Sequence, residues 1–363
     1  MINILLLNSG YKSELMIDIN LDLKYWKNLL YFYSNAYRKT LLLFRGFIIL
    51  QKNKKEGALL KKYFGEIGLI FIAIIWGSGF VATQFALDGG LTPLQIITLR
   101  FFLAAVIMNL LFFKRIRASM GKKMLKAGGL LGIFLFLAFT VQTIGLMYTT
   151  PSKNAFITAA NVVIVPFIGF IIYKRKLDKI GIISSLVALV GIGILSLEAD
   201  FSINFGDLLT LICSFGFAFH IFFTSEFAKD NNPMALTAVQ FTVAFLMSLV
   251  VQTFAGQLKM EAELSGYMGT IYLAIFSTTI GFLFQTICQK RVDGTRTAII
   301  LSTEAVFGTI FSIIILKELI TAKLVIGSIL IFVAIITAET KLSFLKSKKV
   351  KLKDSKESSL ESI

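Results

Sequence analysis

Long apolar runs, interrupted at short intervals by charged or glycine-rich breaks, fill the chain from residue 65 to residue 340. A helix needs about 20 mostly apolar residues to cross a bilayer. By that measure the runs predict ten spans. In order they are Ile67–Leu87, Pro93–Phe113, Ala127–Met147, Ser152–Tyr173, Leu177–Leu197, Phe205–Phe227, Ala235–Phe254, Tyr267–Cys288, Thr295–Leu316 and Thr321–Ala338. The breaks between them are too short to hold a soluble domain. Residues 1–64 do not follow the pattern. Their longest apolar run, Leu41–Leu50, is short and contains Arg45. They read as an N-terminal extension, interfacial or disordered. Residues 341–363 read as a polar cytoplasmic tail.

Composition agrees with this pattern. Hydrophobic residues make up 56% of the 363 residues and charged ones only 16%, with a mean hydropathy of +0.78. Soluble domains hold fewer apolar residues, about 45–50% even with glycine counted. The formal charge of +16 would suggest nucleic acid in a soluble protein. Here the cations sit at span ends and in the tails, where they set topology and meet anionic headgroups, so no nucleic-acid partner is expected. Lys114, Arg115, Arg117, Lys122, Lys123 and Lys126 follow span 2. Lys174, Arg175, Lys176 and Lys179 follow span 4, and Lys290, Arg291 and Arg296 follow span 8. All fall on one side if both termini are cytoplasmic. The opposite breaks carry Asp88, Glu198, Asp200, Asp207, Glu261 and Glu263, with fewer cations in or beside them, Lys153, Lys259, Lys317 and Lys323. Cys213 and Cys288 lie in apolar runs without metal spacing, and the lone His220 excludes a multi-histidine metal site. No cofactor is expected.

The chain also matches itself. A shift of 143 residues lays Ala155 over Ala298, Asn161 over Glu304 and Arg175 over Glu318. Five spans per copy is an odd number, so the second copy enters the membrane in the opposite sense. That is the inverted-repeat plan of secondary transporters, with the solute path between the copies. The expected fold is therefore an all-α polytopic membrane protein of ten transmembrane helices, arranged as two inverted five-helix repeats over 65–197 and 205–340.

Several stretches carry a family resemblance. IAIIWGSGFVATQFAL in span 1 has a small-residue pattern around a Trp-Gly pair. TPLQIITLRFFLAA enters span 2 through a proline and carries Arg-Phe. FTVQTIGLMYTTPSKNAFITAANVVIVPFIGFI covers span 3 and its exit, and RTAIILSTEAVFGTIFSIIILKELI covers span 9 with its mid-helix Glu and closing Lys-Glu turn. On these stretches the chain resembles the EamA-type branch of the drug/metabolite transporter superfamily over about Gly65–Glu339. Two departures are visible. Ala305 stands where the family usually has a proline after the Glu, and Lys174, Arg175 and Lys176 replace an acidic turn. The resemblance implies export or import of a small solute such as an amino acid, a drug-like compound or another metabolite.

Glu304 is the leading candidate for transport or coupling. At mid-span an acidic group costs at least about 2–3 kcal/mol, so the helix turns it to the protein interior or a watery cavity. It would load and release a proton as the cavity alternates, or serve as a paired packing carboxylate. His220 is a second coupling candidate, with a satisfied structural histidine as the alternative. Arg100, about two turns into span 2, would attract an anionic group, or snorkel and pair with Asp88 or a neighbouring carbonyl. Asn154, Thr158 and Asn161 share a face of span 4, apt for a cavity or a hydrogen-bonding seam. Gln84, Gln142, Gln240 and Gln285 offer donors and acceptors to the solute or to neighbouring helices. Trp76 would form an aromatic wall or pack the bundle.

The sequence thus predicts a secondary transporter of the cytoplasmic membrane, moving a small organic solute by alternating access. Efflux is favoured, with proton coupling open beside it, and an uptake permease is the alternative. Membrane lipids are the other expected partners, and a homodimer is compatible with the sequence. No covalent chemistry is expected, because nucleotide loop, metal cluster and catalytic triad are all missing. A membrane enzyme would need polar catalytic groups clustered at one membrane face. A receptor or scaffold would use Glu304 for packing alone.

Overall fold

The computed structural model describes residues 57–174, 179–196 and 204–340. The expected N-terminal extension up to residue 56, the polar tail from 341 and the two breaks at 175–178 and 197–203 lie outside the described residues. The chain divides into two compact units, Met1–Tyr63 and Phe64–Ile363, and the fold described is that of the second.

The described residues are helical throughout, with no strand among them. The helices are α1 (Gly57–Asp88), α2 (Pro93–Ala118), α3 (Lys122–Leu146), α4 (Pro151–Thr158), α5 (Asn161–Tyr173), α6 (Lys179–Ser196), α7 (Phe205–Asp230) and α8 (Pro233–Phe254). They continue as α9 (Leu264–Tyr272), a π-helical stretch Leu273–Ile280, α10 (Gly281–Gln289), α11 (Gly294–Ser302), α12 (Glu304–Phe311), a second π-helical stretch Ser312–Leu316, and α13 (Ala322–Thr340). Among the described residues, eight helical segments are long and apolar enough to cross a membrane. At the expected spans 5 and 10 the apolar helices are shorter, Ile182–Leu195 and Ala322–Ala334.

Helix starts follow from local chemistry. Three of the four prolines, Pro93, Pro151 and Pro233, open a helix, where the missing N–H costs nothing. Thr92, Thr150, Asn204, Asn232 and Asp293 each accept a backbone N–H from the first turn they cap. At the start of α2 the cap is reciprocal, since the Gln95 side chain accepts from the Thr92 N–H.

Packing inverts the soluble pattern. Thr98, Arg100, Asn154, Asn161, His220, Gln240, Gln285 and Glu304 are buried, while Leu110, Ile183, Leu186, Ile314 and Ile329 are exposed. Outward apolar side chains around an inward polar set suit a lipid surround.

Corresponding helices of the two copies meet. Gln95, at the start of α2, donates to the carbonyls of Gln257 and Lys259, just beyond the end of α8, and Phe101 packs on Phe241 midway, so the two helices run antiparallel. Gly191 on α6 lies against Ile331 and Gly327 on α13, and Gly327 lies against Leu195, again antiparallel. A Cβ on either glycine would come within 2.9 Å of the other's carbonyl oxygen, so the close crossing needs both.

The helices at the expected spans 4 and 9 share finer detail. Each is broken midway. α4 gives way to α5 through Ala159 and Ala160, and α11 gives way to α12 at Thr303. At each break the backbone tightens, as Ala160 N–H donates to Ile157 and Thr303 N–H to Ile300. Each span then ends on a left-handed lysine, Lys174 (φ 53°) and Lys317 (φ 58°). The Lys174 N–H reaches Gly169 and the Lys317 N–H reaches Ser312. Breaks, caps and cap acceptors are all related by the same shift of 143 residues.

Candidate functional site

The breaks place two polar residues at equivalent points. Asn161 opens α5 and Glu304 opens α12, and both line one cavity. Trp76, Arg100, Gln142, Thr158, His220 and Gln285 line the same cavity. Eight of the residues singled out by sequence are thus brought together. Gln84, Asn154 and Gln240 are not among its lining residues. Gln84 donates to Asp88 at 2.8 Å. Asn154 donates to Thr210 at 2.8 Å. Gln240 stands behind the wall and bonds His220 Nε2 at 2.9 Å.

Glu304 is buried, and it makes no hydrogen bond or ion pair with any described residue. Other cavity groups also hold unused capacity. Asn161 Oδ1 and both amide atoms of Gln285 lack a partner among the described residues. By contrast Gln142 donates to Thr158 at 3.0 Å, and His220 is held by Gln240, Thr224 and an edge contact with Phe282.

Arg100 is 1% exposed. It does not engage Asp88, one of the partners the sequence offered. Its Nε donates to Thr278 Oγ1 at 2.9 Å and its Nη2 reaches Ser277 Oγ at 3.5 Å. The guanidinium carbon lies 4.1 Å from the centre of the Phe139 ring, a cation–π placement. No described carboxylate pairs with it.

Residues the sequence reading passed over complete the wall. The π-helical stretch Leu273–Ile280 presents Ser277 and Thr278 to Arg100. Such insertions are frequent at functional sites. The only hint in the sequence is the run Ser277-Thr278-Thr279. Phe139, Phe217 and Phe282 supply aromatic surface, and Trp76 lies 4.8 Å from Phe282, ring centre to ring centre. The Trp76 indole donates to the Ser277 carbonyl at 2.8 Å. It fits there because Gly281 has no Cβ, which would fall 2.5 Å from the indole nitrogen.

Polar ties close the packing at each end of the bundle. At one end Glu318 accepts from Ser312 and from the Ser152 N–H and hydroxyl. Beside it Lys153 pairs with Asp207 at 3.3 Å and Thr149 donates to Asp207. At the other end Arg296 pairs with Glu66 at 3.2 Å, and Gln289 donates to the Ile221 carbonyl at 2.9 Å.

An apolar-faced helical bundle around a buried polar cavity defines a multi-pass membrane protein built to hold a small molecule. The chain belongs to the EamA-like transporter family, whose model matches residues 63–197 and 204–339, one match per copy. An uncharacterized transporter of Archaeoglobus fulgidus is 33% identical over 303 residues, covering 84% of this chain and 94% of that protein. The uncharacterized transporter YyaM of Bacillus subtilis is 25% identical, covering 75% and 92%. A solved structure titled "Crystal structure of protein" aligns with a TM-score of 0.57 at 17% identity, covering 76% of this chain and 96% of that one. It supports the fold alone.

Proposed function

We propose that the protein is a secondary transporter of ten transmembrane helices in two inverted five-helix repeats, moving a small organic solute across the cytoplasmic membrane by alternating access. The observation that carries this reading is the cavity where the repeats' broken spans meet, with the unpartnered Glu304 in its wall. The antiparallel crossing of corresponding helices supports the inverted arrangement. The short helices α6 and α13 are its fifth and tenth spans, and the basic breaks put both termini on the cytoplasmic side.

In this reading the repeats rock about the cavity. The Lys153–Asp207 and Ser152–Glu318 ties open for one state, and the Glu66–Arg296 and Gln289–Ile221 ties open for the other. Glu304 takes a proton from one side and gives it to the other, which couples solute efflux to the proton gradient. No covalent step is assigned to any residue. The test is solute flux in proteoliposomes under an imposed proton gradient. Gradient-driven flux by the intact chain, with coupling lost in Glu304→Gln, is expected. Coupled flux unchanged by that substitution removes the proton role, and no flux for any solute removes the transporter reading.

A further inference from the structure

We propose that Arg100 is the solute-binding cation of the cavity, and that the solute is a small organic anion with one negative charge and an apolar body. This rests on the cavity being the solute site.

A guanidinium taken out of water carries a penalty of several kcal/mol unless a counter-charge and full hydrogen bonding repay it. Arg100 is 1% exposed, yet its side-chain partners are two neutral hydroxyls and one aromatic face. Its Nη1 has no hydrogen-bond partner among the described residues. The planar fork of arginine suits a carboxylate better than any hydroxyl.

Arg100 lies seven residues after the proline that opens α2, and Gln240 lies seven residues after the proline that opens α8. Counted from those prolines, a shift of 140 rather than the 143 of the later spans, the two positions correspond. Gln240 Oε1 bonds His220 at 2.9 Å and its Nε2 has no partner among the described residues, and it does not line the cavity, whereas Arg100 does. One copy keeps a neutral amide behind the wall and the other turns a cation to the solute.

Ser277 lines the cavity and faces the guanidinium, so its hydroxyl hydrogen can turn toward an anion seated on Arg100, while Thr278 holds the Nε from outside the cavity lining. Phe139, Trp76 and Phe282 give the solute an apolar body to lie against. Glu304 lines the same cavity, so a second negative charge on the solute would meet like charge. This sets the limit at a monoanion.

The test is binding to the purified full chain, read by quenching of tryptophan fluorescence and by thermal shift. The probes are phenylacetate, 4-phenylbutyrate and hexanoate, each paired with its primary amide. At least one acid is expected to bind about 10-fold or more tightly than its amide, the low end of a hydrogen bond to a charged group. Arg100→Gln should abolish that preference and Arg100→Lys should restore part of it. The proposal is overturned if amides bind as well as acids, if no acid binds, or if Arg100→Gln keeps the preference. The wild-type comparison of acid with amide decides the question even if Arg100→Gln does not fold. Acid-selective, Arg100-dependent binding without flux upholds the site and overturns the transport reading. Flux of a neutral solute that Arg100→Gln leaves unchanged does the reverse.

Discussion

Replacing Glu304 by glutamine should leave the fold as stable as before, or more stable, while removing coupling. The carboxyl is buried with no partner among the described residues. When ionised it carries an effective burial penalty of several kcal/mol. Glutamine has nearly the same shape and no charge. An unpaired buried amide costs about 1–3 kcal/mol by mutational measures, so the exchange stabilises the ionised form by about 1–2 kcal/mol. With the carboxyl protonated the exchange is near-isosteric and its effect tends to zero. The other copy supplies a control, since it already holds a neutral amide, Asn161, at the equivalent break.

The assay is thermal unfolding in detergent beside flux in proteoliposomes. For a chain of this size about 1 kcal/mol corresponds to roughly 2 °C. Glu304→Gln should therefore melt at the wild-type temperature or up to about 4 °C above it, with gradient-driven flux lost. A melting point lowered by more than about 2 °C would show that the carboxylate makes a stabilising contact. The argument from its missing partner would then be refuted.

Thr278→Val removes the acceptor of Arg100 Nε at 2.9 Å and should cost about 1.5–3 kcal/mol, as for hydrogen bonds to charged groups, measured by urea or thermal unfolding in detergent. Gly77→Ala would put a Cβ 2.6 Å from Phe307 Cβ and 2.8 Å from the Gly308 nitrogen. It should cost about 1–3 kcal/mol by overpacking and reduce flux more than a lipid-facing Leu110→Ala. Lys153→Ala leaves Asp207, whose side chain is 0% exposed, without its cation. A double-mutant cycle with Asp207→Asn should return a coupling of about 0.5 kcal/mol or more. In the exposed Lys123–Asp230 pair, Lys123→Ala should leave the melting point unchanged.

Much of this architecture can be read from residue order alone. Three prolines and five capping side chains mark helix starts, and a bilayer-length apolar run marks a span. The duplication could be found because Asn161 and Glu304, or Lys174 and Lys317, lie at one fixed shift. The cavity was less legible. Helical spacing put Thr158 and Asn161 on one face but could not say that Asn154, four residues before Thr158, would be claimed by Thr210 on α7. The π-helical stretch at Leu273–Ile280 was not visible at all. It adds a residue to the turn without any proline or glycine to announce it, and so brings Ser277 and Thr278 to Arg100. The sequence could not choose among partners for Arg100: Asp88 is bonded by Gln84 one turn away, and the guanidinium meets the hydroxyls of Thr278 and Ser277 on the adjoining π-helical stretch.

The duplication also explains where charge is allowed. At the mid-span break the first copy has Asn161 and the second Glu304, and both line the cavity. Seven residues past the opening proline, the first copy has Arg100, which lines the cavity, and the second Gln240, which stands behind its wall. Each neutral member shows that one copy folds without a charge there. The cation belongs to one repeat and the acid to the other, and both line one cavity. In the proposed rocking of one repeat against the other the distance between them changes, and with it the field on any solute between. A carrier whose charges sat on one repeat would lose that lever, because its internal field would travel unchanged with the moving half. Moving the carboxyl across by Asn161→Glu in a Glu304→Asn background should preserve the fold, since both sites tolerate an amide, yet fail to restore coupling. Coupled flux at the wild-type rate in that double variant would show that the side on which the charge stands is immaterial.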